Sequence, residues 1–211
     1  MKRNWRYIGA VFLGLWVLGF VQGCAELEEL RTANSRQAIT IRDQMDELNR
    51  LRAESEAKRV EKERLHAELE ILANTIGGGA AVRDTTEGPV IQLPETILFN
   101  SGFAVIKKEG KLALQKIAEH LKSKPSALIR IDGHTDADPI VRSKYLWDSN
   151  HHLSAGRALS VFQYLVKKEG IDEKRIHIAA YGPNRSIASN DTKEGKKQNR
   201  RVELLILSTN R

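Results

Sequence analysis

Leu128-Ile129-Arg130-Ile131-Asp132-Gly133-His134-Thr135-Asp136 is the stretch whose reading decides the fold. The apolar run Leu128 to Ile131 predicts a strand, and it leads directly into a short polar motif. A polar loop containing Pro139 and Asn150 follows, and Leu153-Ser154-Ala155-Gly156-Arg157-Ala158 opens a helix. A strand ending in Thr135-Asp136 and a helix with Arg157 in its first turn bring one anion and one cation to the same rim. That pair suits a zwitterionic ligand better than bond-breaking chemistry.

Elements of both kinds flank this unit. Val90 to Leu98 reads as a first strand interrupted at Pro94. Ile106 to Leu121 carries Leu112, Leu114, Ile117, Ala118 and Leu121 at helical spacing. Ser154 to Glu169 is a second long helix with Leu159, Phe162, Leu165 and Val166 on its buried side, stopped by Gly170. Ile176 to Tyr181 and Val202 to Leu207 supply two further strands. Asn184 to Gln198 is a polar surface loop or short helix whose Lys193, Lys196 and Lys197 read as ordinary solvated charges. Strands alternating with helices predict an α/β chain, an α+β sandwich with one sheet of about four strands covered by helices.

Three motifs together resemble a known family: Asp132-Gly133-His134-Thr135-Asp136; Asn150 with Leu153-Ser154 and Arg157-Ala158; and Asn199-Arg200-Arg201-Val202-Glu203. In order and spacing they are similar to the OmpA-like peptidoglycan-binding domain, over roughly Val90 to Leu207. The resemblance implies a mixed sheet. It implies a site for the diaminopimelate of the peptidoglycan stem peptide, whose free end carries an ammonium and a carboxylate on one carbon. On that basis Asp136 is expected to accept the ammonium and Arg157 to clamp the carboxylate with two parallel hydrogen bonds. Arg201 corresponds to a family arginine at the rim of the groove, with Arg200 pointing outward. Asn150 is expected to order the loop, and Thr135 and Leu153 to contact the ligand or frame its pocket. Asp136 and Arg157 are 21 positions apart, and Asp138-Pro139-Ile140 followed by Trp147-Asp148-Ser149-Asn150 is closer to the MotB branch of the family than to Pal or OmpA.

Arg157 also stands out without the resemblance. With Ser154 as the helix N-cap, Arg157 takes the third helical position, where a capping box prefers Glu. A cation beside the positive end of the helix dipole costs about 0.3–1 kcal/mol. Folding does not require it there, so a carboxylate ligand is a reason for it. A salt bridge from Arg157 to Asp136 is the structural alternative, and an empty site can close in that way.

Other chemistry finds little support. His134, Asp136, Asp138, His151 and His152 lack the spacing of a zinc-protease pattern, and no nucleophile-base arrangement is legible. Neither a metal nor another cofactor is expected. From Pro89 onward there are 21 Lys+Arg against 13 Asp+Glu, and from Cys24 to Gly88 there are 10 against 14; these balances of +8 and −4, with +3 for the first 23 residues, give the overall +7. A basic folded half admits an anionic or mixed-charge partner. Nucleic acid is not expected, because no aromatic-studded basic strand or zinc pattern accompanies the charge.

The N-terminal portion looks like a delivery system. Lys2, Arg3 and Arg6 precede the uncharged apolar run Tyr7 to Val21, which ends in Val21-Gln22-Gly23-Cys24. Charged head, apolar middle and small residue before the cut are the layout of a secretory signal, here over residues 1–23. The run is shorter than the roughly 20 residues that cross a bilayer comfortably, although an uncleaved anchor is the alternative. The last four residues resemble a lipobox, which makes Cys24 the expected lipidated first residue of the mature chain. Ala25 in place of Asp implies sorting to the outer membrane, with the folded half in the periplasm. The apolar run carries no acidic residue, which argues against a motor stator.

Residues 24–76 then form the predicted stalk. Leu27, Asn34, Ile41, Leu48, Ser55, Lys62, Leu69 and Ile76 share one heptad position; Leu30, Gln37, Gln44, Leu51, Lys58, Leu65 and Leu72 share its companion. Nine of these fifteen are apolar in one register. A paired coiled coil, which would make the chain a homo-oligomer, and a single solvated helix both fit. Either reaches on the order of 75 Å at about 1.5 Å per residue. Gly77 to Gly88 reads as a flexible linker, leaving 89–211 as the domain. The expected whole is an outer-membrane lipoprotein tethered to peptidoglycan. The alternative is a MotB-like or scaffold component of an envelope assembly, in which the stalk itself is the functional part and binds protein partners.

Overall fold

The computed structural model describes residues 5–207, with side chains from Glu26 onward. Residues 1–4 of the expected signal, and the side chains of the rest of it and of Cys24, therefore lie outside the described residues. Helix α1, Trp5–Ile76, is continuous. It contributes to two compact units, residues 1–59 and 60–211.

In the first unit every described side chain is exposed, including the heptad residues Leu27, Leu30, Ile41, Leu48 and Leu51. Ion pairs one turn apart, Lys58 to Glu54 at 2.7 Å and Arg59 to Glu56 at 2.6 Å, support the helix from its own surface.

The second unit carries the sheet. Strands β1 (Ala81–Thr85), β2 (Gly88–Pro94), β3 (Leu128–His134), β4 (Ile176–Gly182) and β5 (Arg201–Leu207) lie in the order β1-β2-β5-β3-β4. Pairing is antiparallel except between β3 and β4, so the sheet is mixed, as the resemblance implied. It has five strands rather than four. The additional one, β1, occupies residues expected to be a flexible linker. Three glycines with positive φ, Gly77 to Gly79, end α1, and the chain then returns as an edge hairpin with β2. A glycine cluster read as slack is in fact a tight reversal.

The boundary of the folded unit shifts for the same reason. Leu65, Leu69 and Ala73 of α1 are buried in the sheet's core, with Leu72 and Ile76 packed beside them. Four of the nine apolar heptad residues thus face the unit's own core and are not available to a coiled-coil seam. Burying a leucine side chain contributes about 1.5–3 kcal/mol, which favours this placement over solvent.

Helices α3 (Lys108–Lys122) and α4 (Asn150–Lys167) present Leu114, Ile117, Ala118, Leu121, Ala158, Val161 and Leu165 to the same core. Side chains along a strand alternate faces. Ile129 and Ile131 of β3, and Val202, Leu204 and Ile206 of β5, enter that core. Arg130, Asp132 and His134, and Arg201 and Glu203, consequently project from the opposite face. Helix α2 (Glu95–Leu98) follows Pro94 directly, so the run Val90 to Leu98 is a strand and one helical turn.

Gly133 lets β3 and α4 meet. A Cβ there would lie 2.2 Å from the Ser154 carbonyl oxygen, so no other residue fits without moving the helix. That contact sets the α4 side chains beside the end of β3.

Candidate functional site

Helix α4 begins earlier than expected. Ser149 is its N-cap, its hydroxyl accepting from the His152 amide at 3.2 Å. Ser154 is buried inside the helix, where it donates to the His151 carbonyl and accepts from the Gly182 amide. Arg157 therefore sits two turns into α4, away from the positive end of the dipole. The dipole argument does not apply to it; burial does.

The Arg157 side chain is 2% exposed. Its Nε donates to the Phe103 carbonyl at 3.1 Å, its Nη2 to Glu95, and its guanidinium carbon stands 5.4 Å from the Phe99 ring centroid. Burial pulls its pKa below the ordinary arginine value, and the Glu95 carboxylate opposes that shift. Asp136 lies just beyond the end of β3. Its Oδ2 accepts from Arg200 Nη1 and its Oδ1 from the Asp138 amide at 3.3 Å. Arg200 also reaches Glu95 through Nε at 2.7 Å. Burial disfavours the Arg200 charge, but the hydrogen bond to Asp136 and the charge of Glu95 outweigh it and raise its pKa.

Arg157, Glu95, Arg200 and Asp136 thus alternate in sign around one cavity of about 240 Å³, which Thr135, Asn150 and Leu153 also line. The alternative, a direct Arg157–Asp136 salt bridge, is not formed; Glu95 and Arg200 stand between them. Asn150 donates to the carbonyls of Asp136 at 3.3 Å and Asp138 at 2.9 Å, and so orders the loop. Thr135 donates its hydroxyl to the Asp136 carbonyl at 2.9 Å. Lys196, expected to be an ordinary solvated charge, pairs with Asp138 at 2.7 Å.

The two consecutive arginines exchange their expected places. Arg201 is the first residue of β5, opposite His134 in register, and therefore shares the sheet face of His134 and Glu203. It is buried there, with Nε on Glu203 at 2.7 Å and its other nitrogens on the carbonyls of Asn199 and Arg185. Arg200, the residue that caps α5 (Lys193–Asn199), turns into the cavity instead. Sequence reasoning also missed Glu95. Its one signal was a lone charge within a mostly apolar run, next to Pro94.

Among the described residues, the grouping of three potential ligands within reach of one another is Asp132, His134 and Glu203, on the other sheet face.

A mixed five-stranded sheet with helices on one face, and a small charge-balanced cavity at the end of its third strand, define an α+β binding domain. Residues 98–200 match the OmpA family, and the chain belongs to that family. Among curated relatives, it is 41% identical over 123 residues to Motility protein B of Bacillus subtilis, covering 58% of this chain and 46% of that protein. It is 36% identical over 130 residues to the probable lipoprotein YiaD of Escherichia coli, covering 62% of this chain and 56% of that one. Among solved structures, the cell wall anchor of the T6SS from Pseudomonas aeruginosa superimposes with a TM-score of 0.54 at 30% identity, over 61% of this chain and 87% of that one. The chain spans about half the length of the curated relatives it matches.

Proposed function

We propose that the folded unit binds peptidoglycan non-covalently, holding the zwitterionic end of a stem-peptide diaminopimelate in the cavity between Asp136 and Arg157. The observation that carries this reading is the alternating quartet of charges. Two carboxylates and two guanidiniums in one cavity can release one of each to a ligand bearing one ammonium and one carboxylate, with no net charge left unpaired. The ammonium takes the place of the Arg200 donor on Asp136. The carboxylate accepts from Arg157 Nη1, which has no partner among the described residues, and from the released Arg200. Glu95 remains to fix both arginines. Such a site binds and orients; it has no nucleophile poised beside a base, and we read the protein as an anchor rather than an enzyme.

In the same reading, Cys24 is the lipidated N-terminus, the protein is held at the outer membrane, and the domain grips the cell wall from the periplasm. The lipobox-like Val21 to Cys24 and the similarity to a probable lipoprotein support this part. Sedimentation with purified sacculi tests the binding. Asp136→Ala and Arg157→Ala should each leave the protein in the supernatant with an unchanged circular dichroism spectrum, and retention of both variants on sacculi would refute the site. Labelled palmitate should enter the wild-type chain and not the Cys24→Ala variant.

A second reading has its own support in the likeness to Motility protein B and to a secretion-system anchor. Here the domain anchors an envelope assembly, and the exposed leucines and isoleucines of residues 26–59 pair with a second copy or another protein. Cross-linking at Leu30 and Leu48 separates the two, since a lone tether gives no dimer there.

A further inference from the structure

On the sheet face opposite the helices lies a larger open cavity, about 670 Å³, that the peptidoglycan site does not use. Register places its walls: Arg83, Val90, Leu205 and Arg130 form one row across four strands, and Glu203 and Asp132 face each other in the next. His134 and Arg201 complete the end nearest Arg185.

The four carboxylates lining this cavity already hold basic partners. Asp84 contacts His66 at 3.3 Å, Glu87 and Asp132 both accept from Arg130, and Glu203 accepts from Arg201 at 2.7 Å and Arg83 at 2.8 Å. Donors are what remain. Arg83 Nε and both ring nitrogens of His134 are buried without a hydrogen-bond partner, and His134 is only 2% exposed. The Arg185 guanidinium, 4.0 Å above the Tyr181 ring, makes no hydrogen bond among the described residues. A neutral His134 ring carries one N–H donor and one acceptor nitrogen, with Nε2 3.7 Å from Glu203, beyond hydrogen-bond reach. An unpaired buried donor costs about 1–3 kcal/mol, so the Arg83 Nε–H and the His134 ring N–H, left this way at one site, ask for an acceptor.

We propose that this face is a second binding site, taking a phosphate group between Arg83, His134 and Arg185. The donors reach the cavity from β1, β3 and the segment after β4. A phosphate can satisfy such a spread because it offers three acceptor oxygens, whereas a carboxylate offers two in one plane. Asp132, His134 and Glu203 can place ligand atoms within 4.8 Å of one another, but a metal ion there would have to strip both carboxylates from their arginines. The spare groups are donors, and that decides for an anion over a cation.

The test follows the His134 ring by NMR in the full chain, with inorganic phosphate as the probe. Phosphate should shift the His134 ring signals saturably and raise the ring's pKa from its depressed value of about 4, because a nearby anion favours the protonated form. Arg185→Gln should weaken phosphate binding by about tenfold, the worth of one charge-assisted hydrogen bond, while retention on sacculi stays at the wild-type level. Phosphatidylglycerol vesicles form a second arm. A matching shift with vesicles identifies a lipid headgroup as the source, and a shift with inorganic phosphate alone identifies a soluble phosphate. His134 signals that ignore phosphate, or that respond to zinc and not to phosphate, overturn the proposal. Because Arg185 lies outside the Asp136 cavity, loss of this site and loss of the peptidoglycan site are separate results.

Discussion

Arg200 donates to Asp136 through one nitrogen and forms an ion pair with Glu95 through another, so the carboxylate expected to meet a ligand's ammonium is already held by a guanidinium of the same chain. The cavity is therefore preorganised and occupied at once. A ligand has to exchange with Arg200, and its affinity reflects the difference between two hydrogen-bonded states rather than the filling of a vacant charge.

Arg200 and Arg201 should consequently separate binding from folding. Arg200→Ala removes the internal competitor and one of two carboxylate donors; retention on sacculi should change while the urea midpoint moves little. Arg201→Ala strips one hydrogen bond from the buried Glu203, which keeps Arg83, and should lower stability by about 1–3 kcal/mol, with binding preserved in whatever remains folded. Urea unfolding and sacculus sedimentation on both variants check this. Equal effects from the two arginines would contradict the assignment of their faces.

Glu95→Gln keeps the shape of the side chain and removes its charge. Two arginines then face one another across the cavity with Asp136 as their sole counter-ion. A stability loss on the order of 3 kcal/mol is expected, since an uncompensated charge is left in a buried setting. The expected chemical signature is salt dependence: added chloride should recover part of the loss in the variant and have little effect on the wild type.

His134 gives a pH dependence of definite sign. Burial is the main cause that pulls its pKa down to about 4, and the Arg201 charge adds to it. The native state stays unprotonated while the unfolded chain takes up a proton near pH 6.5. The stabilisation is whole above pH 6.5 and declines as pH falls toward 4, by roughly 3 kcal/mol in all. Urea unfolding of wild type and His134→Gln between pH 7.5 and 4.5 should show a shallower decline in the variant. Parallel curves would remove this contribution.

Leu69 tests where the folded unit starts. It is fully buried in the core, so Leu69→Ala should destabilise the domain by about 2–5 kcal/mol, whereas Leu30→Ala should not move its unfolding midpoint. A chain beginning at residue 60 should likewise outlast one beginning at residue 77 in urea.

Much of the architecture was legible in the residues. Leu128 to Ile131 and the Leu114–Ile117–Leu121 face carried the strand and helix periods that the structure shows, because burial enforces those periods; Ile176 to Tyr181 is a strand as read, although Ile178 is exposed. The misreadings share a cause. Gly77 to Gly79 signals a break but not whether the chain goes slack or reverses, and the hairpin partner that decides it, Val90 to Gln92, lies ten residues on. Leu65, Leu69 and Leu72 repeat as a coiled-coil seam would, and only the sheet they meet shows that their partner is the domain itself. At the site, Asp136 was singled out from its place after a strand and Arg157 from its place early in a helix, with the family motifs behind both, and the two line one cavity. Glu95 and Arg200 were not singled out, since a reversal after Pro94 and a one-residue choice between Arg200 and Arg201 depend on backbone geometry at element ends.

The most direct measurement is a crystal structure of the folded unit soaked with meso-diaminopimelate. The account predicts the amino-acid head in the 240 Å³ cavity, its ammonium on Asp136, its carboxylate on Arg157, and Arg200 swung off Asp136. Density for the ligand elsewhere, or an Asp136–Arg200 pair unchanged beneath a bound ligand, would contradict it.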